Sequence, residues 1–197
     1  MSNQREHSTF HGKVIIFSAP SGAGKTTIVH HLLKTRPELE FSVSACSRPP
    51  RPQEKQGEDY YFLSVKDFKD KIRNHEFLEW EEVYPGQFYG TLKSELKRIW
   101  ARKHHVLFDV DVVGGLNIKR QLQDRALAVF VMPPSLEKLE RRLRLRSTED
   151  PESLRKRIEK AHRELSFADK FDKVLLNDNL DNTLREAEEI VMNFIVS

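Results

Sequence analysis

Short apolar runs alternate with amphipathic stretches along most of the chain. The apolar runs have the length and composition of buried strands and cover residues 14–17, 106–111, 128–132 and 173–176. Stretches with apolar residues at helical spacing predict helices over residues 27–33, 94–103, 116–123, 135–145, 151–166 and 180–195. Because strands that alternate with helices are joined by crossovers, the pattern predicts an α/β fold with a mainly parallel sheet covered by helices on both faces.

Residues 41–92 break this alternation. Three short runs of β-type residues, FSVSA, YYFLS and FLEWEEV, are separated there by turns that contain proline and glycine. We expect this segment to form a small, partly antiparallel insertion within one domain that spans residues 1–197.

The composition is that of an ordinary globular protein, since 38% of the residues are hydrophobic and 32% are charged. No apolar run approaches the roughly 18 residues of a membrane span, and the polar N-terminal segment lacks a secretory h-region. We therefore expect a cytoplasmic protein with no membrane partner. Lys and Arg outnumber Asp and Glu by only 33 to 30, so we expect no nucleic-acid partner. Cys46 is the single cysteine, which excludes an intramolecular disulfide and a multi-cysteine metal site.

A glycine-rich segment follows the first apolar run directly. Residues 20–26, PSGAGKT, match the phosphate-binding loop G-x-x-x-x-G-K-[ST], except that Ala19 replaces its first glycine. In such a loop backbone N–H groups surround phosphates, Lys25 supplies a mobile positive charge and the Thr26 hydroxyl binds Mg²⁺. The alternative is an unrelated glycine-rich turn, which the preceding strand and the following helix disfavour. The residues predicted to contact ATP are Ser21, Gly22, Ala23, Gly24, Lys25, Thr26 and Thr27.

Two aspartates lie at the end of the second apolar run. Asp109 and Asp111 are two residues apart, so their side chains would project to one face of a strand. A carboxylate at the end of a buried strand is costly without a partner. This favours a carboxylate of this pair as the one that completes an Mg²⁺ site with Thr26 beside ATP. The alternative is a pair of solvated aspartates at a strand end.

The insertion carries residue types that bind a small phosphate well. Arg48 and Arg51 lie in the proline-stiffened segment SRPPRP, where restricted guanidinium groups offer several directed N–H donors. Tyr60 and Tyr89 add phenolic donors. Each of these residues alone is more often structural, so this chemistry by itself leaves the acceptor open.

Seven arginines are concentrated between residues 141 and 163, on two predicted helices. Their charges repel one another unless a polyanion such as a nucleotide is present. Leu136, Leu139 and Leu143 form an apolar stripe, so a helix pair with a solvated basic face is the alternative, and both interpretations can hold together. We expect residues 136–166 to form a helical lid over a bound nucleotide.

From about residue 12 to its end the chain resembles the guanylate kinases. The matching segments, in order, are SAPSGAGKTT, FSVSACSRPPRPQEKQGEDYYF, FLEWEEV, QFYGT, LFDVDVVGG, FVMPPS, the arginine-rich run to Arg157, and LLNDN. Their joint order and spacing carry the resemblance, and the block from SRPPR to GEDYYF is its most specific part. Ala19, LLNDN and the additional Pro85 depart from the family pattern without touching its main chemistry.

The resemblance implies a P-loop NTPase-like core of residues 12–40, 93–135 and 167–197, with a GMP-binding insertion at 41–92 and a lid at 136–166. It implies Mg²⁺-dependent transfer of the γ-phosphoryl group from ATP to GMP or dGMP. The residues implied for GMP are Ser44, Arg48, Arg51, Tyr60, Glu79, Tyr89, Thr91 and Asp111. Those implied for ATP beyond the loop are Arg146, Arg157 and Asn177. The implied catalytic set is Lys25, Arg48, Asp109, Arg146 and Arg157, and the resemblance implies that Asp109 is the carboxylate that completes the Mg²⁺ site with Thr26.

Two rival functions remain open at this point. Another nucleoside or sugar phosphate kinase would share the phosphate loop. A guanylate-kinase-like binding module of scaffold proteins would keep the fold without transferring a phosphoryl group, although the presence of Lys25, Thr26, Asp109 and both lid arginines argues against it. The sequence leaves the choice between a monomer and a homodimer open.

Overall fold

The computed structural model describes residue 10 and residues 12–146 and 151–197, except for the side chains of residues 146, 151 and 153. The strands in this part of the chain are β1 (Val14–Ser18), β2 (Leu39–Phe41), β3 (Ala45–Cys46), β4 (Tyr61–Phe62), β5 (Phe77–Tyr84), β6 (Gln87–Leu92), β7 (His105–Val110), β8 (Ala126–Met132) and β9 (Lys173–Leu176). The helices are α1 (Lys25–Thr35), α2 (Val65–Arg73), α3 (Lys93–Ala101), α4 (Val112–Leu122), α5 (Leu136–Arg146), α6 (Pro151–Leu165) and α7 (Leu180–Val196). None of these helices is both long and apolar enough to cross a membrane.

Five strands form a parallel sheet in the order β2, β7, β1, β8, β9. The central strand β1 pairs with β7 on one side and with β8 on the other, so that Ile16 lies beside Phe108 and Ala128. All residues of β1 are buried, because helices cover both faces of the sheet. The predicted α/β class is confirmed.

Successive residues of β1 enter two different hydrophobic cores. Ile15 and Phe17 pack with residues of α1, α5, α6 and α7, whereas Val14 and Ile16 pack with residues of α3 and α4. This follows from the alternation of side chains along a strand. The carboxyl ends of β1 and β7 emerge between the two helical layers, and this position decides where the cleft described below opens.

A second sheet has the strand order β4, β3, β6, β5. β3 and β4 are parallel, whereas β6 is antiparallel to both β3 and β5. Helix α2 contributes Phe68 to the core of this sheet, where its ring stacks on Phe77 with the centroids 4.3 Å apart. The partly antiparallel insertion predicted from the sequence is therefore present.

The insertion differs from its predicted form in two places. The run at residues 41–45 predicts one strand, but Leu39–Phe41 pairs with β7 in the main sheet, and Ala45–Cys46 belongs to the second sheet. The pattern of β-type runs also does not reveal α2. That helix begins at a capping serine, since the Ser64 hydroxyl accepts a hydrogen bond of 3.0 Å from the Asp67 N–H.

Helix α4 begins at Val112, earlier than the predicted start at residue 116. Gly114 and Gly115 disfavour a helix by propensity, but Gly115 allows α4 to approach the sheet closely. A Cβ atom on Gly115 would overlap the hydroxyl of Ser18 at the end of β1. Tertiary packing therefore outweighs local propensity at this helix end.

Candidate active site

A cleft of about 770 Å³ opens where the carboxyl ends of β1 and β7 face the second sheet. Ligands of open parallel sheets bind in the crevice at this edge. The predicted site residues in its wall are Ser21, Gly22, Gly24, Lys25, Thr26, Ser44, Arg51, Tyr60, Glu79, Tyr89, Asp109, Asp111 and Arg157. The fold thus brings the phosphate loop, the insertion and helix α6 together around one cavity.

The remaining predicted residues do not form the wall itself. Those described by the structure are Ala23, Thr27, Arg48, Thr91 and Asn177. Arg48, Thr91 and Asn177 hydrogen bond to residues at the cleft, as detailed below, whereas Thr27 is exposed on α1. Arg146 is the last residue of α5, and its side chain lies outside the described residues.

The phosphate loop connects β1 to α1 and depends on two glycines in left-handed conformations. Gly22 has φ 88° and Gly24 has φ 97°, values that disfavour a side chain with a Cβ atom. Gly24 is the N-cap of α1 and provides no side-chain cap, so the first N–H groups of the helix have no side-chain acceptor at the cap. Unsatisfied N–H groups and the positive end of the helix dipole favour an anion at this place.

Asn177 supports the loop from behind. Its side-chain amide donates a hydrogen bond of 2.7 Å to the Ala23 carbonyl, and its backbone N–H donates to Met132 at 2.8 Å. The residue is 6% exposed. Asn177 therefore holds the loop to the end of β8, and a direct contact with adenine stays a prediction.

Lys25, Thr26 and Asp109 form a connected group at the start of α1. The Lys25 ammonium group donates hydrogen bonds to the Asp109 carboxylate and, at 2.8 Å, to the Val110 carbonyl. The Thr26 hydroxyl donates to the other Asp109 oxygen at 3.2 Å. Asp109 lies on β7 beside Phe17 of β1, so the adjacent strand supplies the carboxylate that the loop needs. A cation, a hydroxyl and a carboxylate thus converge at the mouth of the loop.

The prediction that Asp109 and Asp111 share one face of a strand is wrong. β7 ends at Val110, and Asp111 is the N-cap of α4, where its carboxylate accepts a hydrogen bond of 2.8 Å from the Gly114 N–H. The chain turns into the helix at this residue, so the strand alternation no longer applies. Asp109 faces Lys25, whereas Asp111 lies on the side of the cleft that contains Glu79.

Glu79 is the most perturbed carboxyl group of the cleft. Its pKa is raised to about 7, mainly because the group is buried and to a lesser extent because of the negative charges of Asp111 and Glu81. The Thr91 hydroxyl donates a hydrogen bond of 2.9 Å to the carboxylate and partly opposes this effect. A carboxyl group with a shifted pKa inside a cleft is typical of a functional position.

Arg48 is fixed by several hydrogen bonds. Its two terminal nitrogens donate to Glu54 at 2.6 and 2.7 Å, and its Nε donates to the Tyr89 hydroxyl at 3.2 Å. The guanidinium also lies 5.0 Å from the centre of the Tyr60 ring. These bonds lower the pKa of Glu54 to about 2, with the Arg48 hydrogen bonds as the largest cause. Arg51 is exposed and lines the cleft directly.

Helix α6 forms the third side of the cleft with Arg157, Lys160 and Glu164. Arg157 donates a hydrogen bond of 3.1 Å to the Ser21 hydroxyl of the phosphate loop. The Lys160 ammonium lies 3.7 Å from the Glu164 carboxylate, one turn further along the helix. Burial raises the pKa of Glu164, which is 9% exposed.

Sequence reasoning missed several polar residues of the site. These are Glu54, Glu81, Lys160 and Glu164. Glu54 follows Arg48 and Arg51 at a spacing that suits a turn, and its backbone N–H does donate to the Arg51 carbonyl at 3.0 Å. Lys160 and Glu164 follow Arg157 at helical spacing, which places them on the same face of α6. The spacing was thus a usable signal in both cases.

Comparison with known proteins gives a consistent result. The family model described as guanylate kinase matches residues 11–194. The chain is similar to the guanylate kinase of Bacteroides fragilis, with 52% identity over 96% of this chain and 93% of that protein. It is also similar to the guanylate kinase of Salinibacter ruber, with 48% identity over 93% of this chain and 97% of that protein. The crystal structure of guanylate kinase from Anaplasma phagocytophilum matches with a TM-score of 0.75 and 26% identity, over 95% of this chain and 88% of that one.

Proposed function

The chain belongs to the guanylate kinase family, and on that premise we propose that its cleft transfers the γ-phosphoryl group of ATP to GMP, which yields ADP and GDP. One observation carries the assignment to this cleft. Lys25 of the phosphate loop and Arg51 of the insertion line the same cavity, so two anionic groups can be held facing each other. Two phosphate sites in one cleft suit transfer between two nucleotides.

The second sheet supplies the acceptor site. Arg51, Tyr60 and Tyr89 surround the GMP phosphate, and Arg48 adds a guanidinium whose direction Glu54 fixes. A planar guanidinium suits a phosphate because it offers several directed donors. We include dGMP as an acceptor, because these contacts use the 5′-phosphate, which GMP and dGMP share.

Glu79 recognises guanine in this proposal. As a carboxylate it accepts hydrogen bonds from guanine N1–H and the 2-amino group, with Asp111 beside it at the cap of α4. A donor to guanine O6 is also needed, and either Ser44 or Thr91 has a suitable hydroxyl. The Thr91 proton is directed at Glu79, which favours Ser44 as the O6 donor.

The donor site is the phosphate loop. The N–H groups of the loop and of α1 surround the ATP phosphates, while Lys25 exchanges its bonds with Asp109 and Val110 for a phosphate oxygen. Asn177 keeps the loop in shape, and Arg157 already reaches it through Ser21. Arg146 would approach the same phosphates from the end of α5.

The reaction requires positioning and charge balance more than proton transfer. A GMP phosphate oxygen, largely ionised near pH 7, forms the new bond to the γ-phosphorus as the bond to the ADP oxygen breaks. No strong general base is needed for such a nucleophile. Lys25 and the arginines oppose the negative charge on the transferring group, which stabilises the transition state.

The residues at the loop fit a magnesium ion. Thr26 and Asp109 present hard oxygen atoms 3.2 Å apart beside the phosphate loop. Mg²⁺ usually takes one or two carboxylates from the protein and completes its coordination with substrate phosphates and water, an arrangement that Thr26 and Asp109 beside the phosphate loop would allow. When bound, Mg²⁺ neutralises charge on the β- and γ-phosphates of ATP.

Helices α5 and α6 act as the lid in this proposal. Leu139 and Leu143 of α5 pack beside Gly22 of the phosphate loop, so movement of α5 and occupancy of the loop are linked. Closure of α6 over the nucleotides excludes water, which would otherwise compete as acceptor. We place the reaction in the cytoplasm, where Cys46, a buried free thiol, stays reduced.

The test is the rate of ADP formation from ATP with GMP, dGMP, AMP, CMP and UMP, each with Mg²⁺ and with excess chelator. Activity that requires Mg²⁺ and is restricted to GMP and dGMP is the expected result. Equal rates with AMP would contradict guanine recognition. Rates unchanged by the chelator would contradict the metal site at Thr26 and Asp109.

A further inference from the structure

Four carboxylates line the part of the cleft where Glu79 lies, and they interact with one another. Besides Glu79 they are those of Glu81, Asp111 and Glu164. Burial raises the pKa of Glu79, Glu81 and Glu164, and in each case the negative charge of Asp111 raises it further. The carboxylates therefore repel one another, and the repulsion grows when a ligand displaces water from between them.

Lys160 lines the same cleft as two of these carboxylates, Glu81 and Glu164. Its ammonium group is 3.7 Å from Glu164 on its own helix, and its positive charge also acts on Glu81 of β5 across the cleft. The Lys160 side chain is 52% exposed, whereas that of Glu164 is 12% exposed, so the lysine approaches the acidic group from the open side. Lys160 and Glu81 belong to different parts of the fold, the lid helix and the second sheet.

We propose that Lys160 is a positioning residue for GMP: its ammonium group balances Glu81 and Glu164 beside the guanine site and thereby links GMP binding to the position of α6. This inference rests on the proposed function. Bound guanine removes water from the carboxylates, and the cation from α6 offsets the repulsion that results. GMP alone, without ATP, therefore draws α6 towards the second sheet.

The phosphate loop has a different set of charged residues from the guanine site. The charged residues at the loop are Lys25, Asp109 and Arg157. The positive charge of Lys160 lowers the pKa of both Glu81 and Glu164, whereas that of Lys25 lowers the pKa of Glu164 only. Removal of the Lys160 charge should therefore weaken the binding of GMP and leave that of ATP almost unchanged.

The experiment measures GMP affinity by calorimetry without ATP, so that no turnover is required. The variants are Lys160→Met, Lys160→Arg, Glu81→Gln and the double variant of Lys160→Met with Glu81→Gln. Lys156→Met is the matched control, because Lys156 lies on the same helix but pairs with Glu152 at 2.8 Å, and both side chains are 68% exposed. Thermal unfolding of each variant verifies that it is folded.

We expect Lys160→Met to weaken GMP binding about fivefold to tenfold, since the pair is partly solvated. Lys160→Arg and Lys156→Met should stay within about twofold of the wild type, and in the Glu81→Gln background the effect of Lys160→Met should fall to about twofold or less. The proposal would be overturned if Lys160→Met weakened GMP binding as much in the Glu81→Gln background as in the wild type. It would also be overturned if Lys160→Met alone left GMP binding unchanged. If the wild-type protein itself bound no GMP, the proposed function would be wrong instead.

Discussion

The Thr91 hydroxyl donates a hydrogen bond of 2.9 Å to the Glu79 carboxylate across the β5–β6 hairpin. The two residues are partners in the strand register, so the hairpin itself sets their separation. Thr91 holds one carboxylate oxygen, and the other lies beside Gly114 at the start of α4. The carboxylate is therefore oriented before any nucleotide arrives, which reduces the entropy that binding must remove.

Glu79→Gln is expected to change the choice between purines. Guanine N1–H and its 2-amino group need an acceptor, whereas the glutamine amide can pair with adenine by donating to N1 and accepting from the 6-amino group. We expect kcat/KM for GMP to fall by roughly 1.5 to 3 kcal/mol, about tenfold to a hundredfold or somewhat more, while that for AMP is unchanged or rises. The measurement is the ratio of kcat/KM for GMP to kcat/KM for AMP in the wild type and in Glu79→Gln. An unchanged ratio would show that Glu79 does not contact guanine.

GMP affinity is expected to depend on pH near neutrality. The pKa of Glu79 is raised to about 7, so below that pH the group is mostly neutral and must lose its proton to accept both guanine hydrogen bonds. The Kd for GMP should therefore rise about tenfold per unit as the pH falls below 7, and it should be flat above 8. Glu79→Gln is the control, because it keeps only the dependence that comes from the GMP phosphate, whose pKa is about 6. Equal profiles for the two proteins would contradict this role.

Lys25→Ala is expected to separate turnover from acceptor binding. Lys25 bonds to Asp109 at the phosphate loop and lies away from the arginines of the insertion, so its loss should lower kcat by about three orders of magnitude and leave GMP affinity unchanged. Lys34→Ala is the control, since Lys34 is exposed in the last turn of α1. A kcat for Lys25→Ala within about threefold of the wild type would show that the assigned role is wrong.

Glu54→Gln is expected to act on GMP through Arg48. The carboxylate accepts two hydrogen bonds from Arg48 and one, at 2.8 Å, from the Arg51 N–H, so it orders both phosphate-binding arginines. The neutral amide holds them less firmly, and KM for GMP should rise about threefold to tenfold with little change in kcat. Glu58→Gln provides the control, because Glu58 forms an exposed pair with Lys55. A drop in kcat with unchanged KM would contradict a role in GMP binding.

ATP and GMP together are expected to make the molecule more compact than either nucleotide alone. On α6, Arg157 donates a hydrogen bond to Ser21 of the phosphate loop, and Lys160 lines the cleft together with Glu81 of the second sheet, so full closure needs an anion at the loop and guanine beside the second sheet. Small-angle scattering of the free protein, the two single complexes and the complex with GMP and a non-hydrolysable ATP analogue measures this. One radius of gyration for all four states would exclude closure.

The order of elements and the phosphate loop could be predicted from the sequence. β1 and β8 were recognisable because a strand buried on both faces is a continuous apolar run, and the loop because Gly22 and Gly24 require backbone conformations that suit glycine. Both signals are local, since each depends on neighbouring residues alone.

The contacts that complete the site depended on the tertiary structure. Asn177 meets Ala23 from 154 positions away, and Lys25 meets Asp109 from 84 positions away. No local sequence pattern predicts contacts between residues so far apart along the chain, because the order of the strands decides which loops meet at the edge of the sheet. Asp111 shows that local spacing can also give a wrong prediction over only two residues. Strand spacing predicts that it shares a face with Asp109, but β7 ends at Val110 and α4, which packs closely on β1, begins at Val112, so Asp111 is a helix cap on the side of Glu79.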